Sequence, residues 1–227
     1  MEKQEDPWWM IARSDLANVS TIRYPLDTIY PERSRRAHTR LARRVGVKLT
    51  LNMKKKRRKK VYAFIDSQNL NLGTNKDIVK GKKRIYKGWK LDFKKFRQYL
   101  SDKFRVKKAW LFIGYISSNK ALYRRLRAFG YDLVFKPTTK DRLGKPKGNV
   151  DAELVLHAAR IEYDNYDKAV IVSGDGDFYC LHEYLEKEGK LLRIIIPNTK
   201  SESSLLKKFH KYKTFIIHEK HKLELRP

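Results

Sequence analysis

Short apolar runs recur along the chain from residue 61 onward, and a stretch with helical periodicity follows most of them. The runs at 61–66 (VYAFID), 109–116, 131–135, 169–172 (AVIV) and 192–196 are continuous rather than alternating, which predicts strands buried on both faces. Between them, Phe93, Phe96 and Leu100 fall at i, i+3 and i+7 of a helix predicted over 92–103. A second helix is predicted over 118–129, capped by Ser117 or Ser118 and ended by Gly130. Val150, Leu154, Ala158 and Ile161 make the buried stripe of a third, reaching about residue 164. A fourth begins directly after the SGDGD turn at 173–177, a fifth covers 201–210, and 214–218 closes the chain as an edge strand. Strand–helix alternation of this kind predicts an α/β fold, a three-layer α/β/α arrangement around a mostly parallel central sheet. No repeat, GxGxxG or P-loop interrupts it.

Residues 1–60 lack any sustained period, and they read as a basic, disordered extension before a domain over 61–220 and a short tail over 221–227. A short basic helix over 35–45 is the one element this extension suggests. Residues 1–60 carry 17 basic and 6 acidic residues, a net of +11, so the remainder carries +17 of the total +28. A field of that sign attracts polyanions, nucleic acid first. An anionic membrane surface is the weaker alternative, since no long apolar stretch or lipidation signal accompanies the charge. The single cysteine, Cys180, rules out an intramolecular disulfide and a cysteine-based zinc cluster. Without an apolar signal-peptide core at the N-terminus, the expected location is the cytoplasm.

Two loops concentrate the basic charge. Residues 73–90 interleave lysines and an arginine with Tyr86 and Trp89. Cations beside flat rings suit single-stranded nucleic acid, with phosphates on the cations and bases on the rings. Trp89 is equally well read as a core residue. The second loop, 136–148, includes Lys147, a candidate phosphate contact. His157, His182, His218 and His221 read as structural or surface residues, His182 as surface or partly buried, and Glu153 as a surface residue.

Candidate chemistry lies at the strand ends. Asp66 ends the first strand, Asp175 and Asp177 follow the AVIV strand, and Asp151 opens the third helix. In a doubly wound sheet, strand C-termini and the N-termini of following helices share one edge, where ligands bind. Each acid also has a plain reading as a turn or cap residue, and Asp151 as a residue favoured by the helix dipole. Two carboxylates 4 Å apart repel by roughly 4 kcal/mol at a surface-like dielectric, and a divalent cation would turn that cost into attraction. Hard oxygen donors in a basic frame suit Mg²⁺ or Mn²⁺ rather than zinc. Such an ion would clamp a phosphodiester and lower the pKa of an attacking water.

Three segments, FIDSQNL at 64–70, KGNVDAELVLHAA at 147–159 and IVSGDGDFYCLHEYLEKEGK at 171–190, taken in this order, resemble the NYN domain, a branch of the PIN-like nucleases. The resemblance covers about residues 61–217 and implies a PIN-like, Rossmannoid sheet. It also implies a metal-dependent endoribonuclease acting on RNA, single-stranded RNA above all. The matching positions are Asp66, Asp151 and Asp175 as metal-binding residues and Asp177 as a further catalytic acid. Asn69 and Ser173 would support the substrate phosphate or the carboxylates, with Lys147 and Trp89 as further substrate contacts. Where the family often has Ala-Asp near the closing helix, this chain has Phe209-His210, which removes a possible outer acid. A non-catalytic RNA-binding module on the same fold is the alternative, and a small-phosphoester hydrolase a third. The sequence specifies no oligomeric state.

Overall fold

Alternation within the two central strands decides the architecture. In β1 (Val61–Asp66), Val61, Ala63 and Ile65 join one apolar cluster while Phe64 joins another. In β8 (Lys168–Val172), Val170 and Val172 belong to the first cluster, Ala169 and Ile171 to the second. Successive side chains point to opposite faces, so both faces are apolar and both need a cover. One cover is built by α1 (Ser67–Asn75), α2 (Phe93–Phe104) and α3 (Lys120–Ala128), contributing Leu70, Phe96, Leu100 and Leu126. The other is built by α4 (Asp151–Leu156), α5 (Tyr179–Lys187) and the 3₁₀ segment Ser204–Tyr212, contributing Leu154, Leu181, Leu185 and Phe209. The computed structural model describes residues 57–136 and 151–226, with the backbone alone of β6 (Thr139–Lys140) and β7 (Pro146–Lys147) between them. The N-terminal extension as far as residue 56, including the expected basic helix over 35–45, lies outside the described residues.

Six strands form one parallel sheet in the order β10-β9-β8-β1-β4-β5, with β4 at Val106–Gly114, β5 at Asp132–Lys136, β9 at Leu191–Ile196 and β10 at Lys213–Phe215. Every pairing within it is parallel. From β1 the chain winds outward to β4 and β5, and from β8 it winds the other way to β9 and β10. The strand order therefore reverses between β1 and β8, and the crevice outside their carboxyl ends is where open α/β sheets place ligands. The expected α/β/α fold with a mostly parallel sheet is the one observed.

Several expectations are corrected. The 73–90 loop contains an antiparallel hairpin, β2 (Ile78–Lys80) with β3 (Lys83–Tyr86). Trp89 is a core residue, 3% exposed, and offers no face to a base. Its segment is strapped to the end of α1: Gly88 N–H donates to Asp77 at 2.7 Å, and Trp89 N–H to the Thr74 carbonyl at 2.9 Å. Gly88 is needed there because a Cβ would stand 2.0 Å from the Asn75 carbonyl oxygen. The second basic loop holds the short β6–β7 ladder. Ile161 is half exposed rather than on the buried stripe, because His157–Ile161 is a π turn, closed by Glu162 N–H on the His157 carbonyl. The extra residue in that turn rotates position 161 off the stripe. Residues 221–226 are not a loose tail. Leu223 in α6 (Lys220–Leu223) is buried, its carbonyl accepts from Asp92 N–H at 2.8 Å, and Leu225 N–H donates to the Lys90 carbonyl.

His182 is fully buried, against an expected surface or partly buried position, with its ring 5.5 Å from that of Phe209. Among the described residues neither ring nitrogen has a hydrogen-bond partner. Burial pushes its pKa down to about 4. The unfolded chain therefore binds a proton that the fold refuses between about pH 6.5 and 4. This contribution to stability is intact above 6.5 and is lost as pH falls, by about 3 kcal/mol in full. Replacing His182 with Leu is expected to leave Tm at pH 7 nearly unchanged. At pH 4.5 the variant should melt several degrees above the parent, as read by thermal denaturation at the two pH values.

Candidate active site

Asp66 is placed by two local facts. It is the last residue of β1, and it caps α1, its Oδ1 accepting from the N–H groups of Gln68 and Asn69 at 3.0 Å each. The plain reading of Asp66 as a cap is therefore satisfied, yet a cap normally sits in water and this one is 4% exposed. Burial pushes its carboxyl up to about 6, the two cap hydrogen bonds pull the other way, and the negative charges of Asp151 and Asp175 add to the rise. Those two repulsions show that the three acids named from the sequence share one electrostatic neighbourhood.

Asp175 arrives from β8. Ser173 is buried and its Oγ accepts from Asp175 N–H at 3.1 Å; Asp175 in turn caps the 3₁₀ turn Gly176–Phe178, accepting from Asp177 N–H at 3.1 Å. Asn69 ties the two strand ends together, its Oδ1 accepting from Gly174 N–H at 2.9 Å. A third loop, after β9, closes over the turn. Ser203 N–H donates to the Gly174 carbonyl at 3.1 Å, and a Cβ on Gly176 would lie 2.4 Å from Ser203 Oγ. The glycine in SGDGD thus admits this close approach.

Asn198, which the sequence reading missed, organises that third loop. It is buried, donates to the Gly73 carbonyl, and accepts from Lys200 N–H at 2.7 Å and Ser201 N–H at 2.9 Å. Its signal in the sequence was its place, Pro197-Asn198 directly after an apolar strand, the same strand-then-polar pattern that marked Asp66 and Asp175.

Asp151 is half-buried and opens α4. Asp177 is exposed at the rim of the turn. Glu153 is half-buried rather than a surface residue and lies 3.4 Å from Lys136 Nζ. Lys147 falls in β7, whose side chains lie outside the described residues. His210 is exposed, while Phe209 beside it is buried against His182.

Among the described residues, no three His, Cys, Asp or Glu side chains are grouped closely enough to hold one ion between them. The donor set nevertheless fits a hard divalent cation. Mg²⁺ retains several waters and commonly takes only one or two carboxylates directly, and a desolvated carboxylate beside two like charges is what such an ion relieves. Among the described residues, no helix is long and apolar enough to cross a membrane.

Comparison with known proteins bears on the family and the fold. The family model of the NYN domain matches residues 60–217, well over half of the chain. A crystal structure of a protein of unknown function from Vibrio parahaemolyticus is similar in fold, with a TM-score of 0.53 and 22% sequence identity, covering 70% of this chain and 93% of that one. No curated protein matches the chain.

Proposed function

The chain belongs to the NYN domain family, a PIN-like nuclease family, and from that membership we propose that it is a metal-dependent endoribonuclease that hydrolyses single-stranded RNA at the β1–β8 switch point. The observation that carries the proposal is the buried carboxyl of Asp66, raised to about 6 with Asp151 and Asp175 both contributing repulsion. A structural cap gains nothing from two further acids nearby, whereas a site for a divalent cation does. Asp66, Asp151 and Asp175 would hold Mg²⁺ or Mn²⁺, in part through the waters that such an ion retains, and Asp177 would hold a water at the rim. When bound, the ion would neutralise charge on the phosphodiester and generate the attacking hydroxide. Asn69 and Ser173 hold the Asp175 turn in register with Asp66. The basic residues, with Lys147 proposed among them, would retain the polyanion without taking part in bond breaking.

Substrate class separates this reading from its rivals. Purified protein with Mn²⁺ is expected to cut a single-stranded RNA internally and to leave a small chromogenic phosphoester untouched. Turnover of the small ester at a comparable rate would point to a phosphatase. Salt-sensitive RNA binding with no cleavage under any divalent metal would point to a binding module.

A further inference from the structure

The β2–β3 hairpin carries charge that the acids do not explain. Lys80, Lys82, Lys83, Arg84 and Lys87 are all exposed. Tyr86 and Trp89, the rings among them in the sequence, are buried, so the segment offers cations and no flat face. A two-stranded ribbon is marginal by itself, and this one pairs with no strand of the main sheet. Its root holds it. The Tyr86 hydroxyl donates to the Thr74 carbonyl at 2.9 Å, next to the hydrogen bonds from Gly88 and Trp89 that fasten the returning strand to the end of α1.

The tip concentrates like charge. Lys80 and Lys83 are directly opposed in the ladder, and Gly81, at φ 61°, makes the turn between them with Lys82. Opposed residues of an antiparallel pair have Cβ atoms ~5 Å apart, and like charges there repel. Among the described residues the hairpin's ion pair is Arg84 with Asp77, at 3.2 Å, and no carboxylate pairs with Lys80, Lys82 or Lys83. A phosphate between the opposed ammonium groups would turn their repulsion into attraction.

The hairpin is rooted at the edge that carries the acids. α1 begins on the Asp66 carboxylate, Asn69 is tied to Gly174 beyond β8, and the Gly73 carbonyl accepts from Asn198 beyond β9. At ~1.5 Å per helical residue, the root at Asn75 lies about 14 Å from Asp66. At ~3.4 Å per extended residue, Lys80 lies at most about 17 Å further. With phosphates ~3.4 Å apart along a stacked strand, an oligonucleotide of about ten residues covers both places.

We propose that Lys80, Lys82 and Lys83, at the hairpin tip, clamp the phosphates of the RNA that flanks the bond held at the acids. This rests on the nuclease reading for the identity of the polyanion. Ammonium groups register charge and not base identity, so the clamp positions the strand and adds affinity for any sequence. It replaces the stacking contact expected of this segment.

The test is binding in EDTA, so that nothing is cut, by anisotropy of labelled oligouridine and oligoadenosine of about 15 nucleotides over a range of salt concentrations. Replacing all three lysines with Gln is expected to reduce the slope of log K against log salt by about 2, three contacts at ~0.7 each, which weakens binding about a hundredfold at about 0.1 M salt. Lys82→Gln alone should give about a third of that change in slope. Both oligomers should lose alike. Lys107→Gln with Arg124→Gln and Arg125→Gln removes as much exposed charge from β4 and α3, and should leave the slope within about 0.5 of the parent. Thermal melts no lower than the parent's would show that the exposed substitutions leave the fold intact. An unchanged slope in the hairpin variants would overturn the proposal. So would an equal fall in the β4–α3 variant, or a loss confined to one oligomer. Because no metal is present, failure of the nuclease reading shows itself separately, as absence of cleavage by the unaltered protein once Mn²⁺ is restored.

Discussion

Replacing Asp66 with Asn is expected to abolish metal-dependent cleavage and, at the same time, to stabilise the metal-free protein at neutral pH. Asn keeps an Oδ1 acceptor for Gln68 and Asn69 N–H, so the cap on α1 survives. What it removes is the charge. The folded-state pKa of about 6 lies above the unfolded value of 3.8. The contribution of this group is therefore favourable below pH 3.8 and is lost as pH rises through 6, leaving the charged form to cost about 3 kcal/mol at pH 7. The variant should recover much of that at pH 7 or above and nothing near pH 4. His182 has the opposite slope over nearly the same window. In the parent the two largely offset one another between pH 4 and 6.5. In Asp66→Asn the His182 loss stands alone, so stability should fall more steeply on acidification. Added Mn²⁺ is expected to raise Tm in the parent, since a ligand of the folded state stabilises it by mass action, and to leave the variant unmoved. Activity should drop by about two to three orders of magnitude, the scale of removing one preorganised electrostatic group. A variant that cuts RNA like its parent would refute the assignment of Asp66.

Asn69→Ala is expected to cost activity through a different route. The side chain accepts from Gly174 N–H, and Gly174 is buried. Without the acceptor that donor is unpaired, at about 1–3 kcal/mol. The SGDGD turn then loses its tie to β1, and Asp175 drifts relative to Asp66. A displacement of about 1 Å in a reacting array costs on the order of a hundredfold in rate. We expect a fall of that size in kcat with little change in KM, because the basic surface that retains the RNA is untouched. The cap on α1 uses the Asn69 backbone rather than its side chain, so the helix should persist. Faster hydrogen exchange at the Gly174 amide would localise the effect. A change in KM alone would mean that Asn69 contacts substrate instead.

What could be read in the sequence depended on whether local pattern sufficed. Asp66 and Asp175 were visible because each ends a continuous apolar run, and the edge they share follows from strand–helix alternation alone. Trp89 was ambiguous because basic loops with aromatics look alike whether the ring turns in or out. Asp77, Thr74 and Gly88 turn it in, and those contacts cross the hairpin. His182 was misread although it falls on the stripe Phe178, Leu181, His182, Leu185, the spacing of a buried helix face. Its residue type outweighed its position. The π turn at His157–Ile161 changes the helix period without any marker such as Gly or Pro, so Ile161 could not be separated from Ala158 by spacing.

The acids between β1 and β8 are proposed to form a metal-dependent ribonuclease site. It is tested most directly by following an end-labelled single-stranded RNA incubated with the parent protein and with Asp151→Asn, each in Mn²⁺, Mg²⁺ or EDTA. Internal cleavage by the parent that requires metal, is lost in EDTA and is absent in Asp151→Asn is the predicted result. Equal cleavage by both proteins, or cleavage that persists in EDTA, would contradict it.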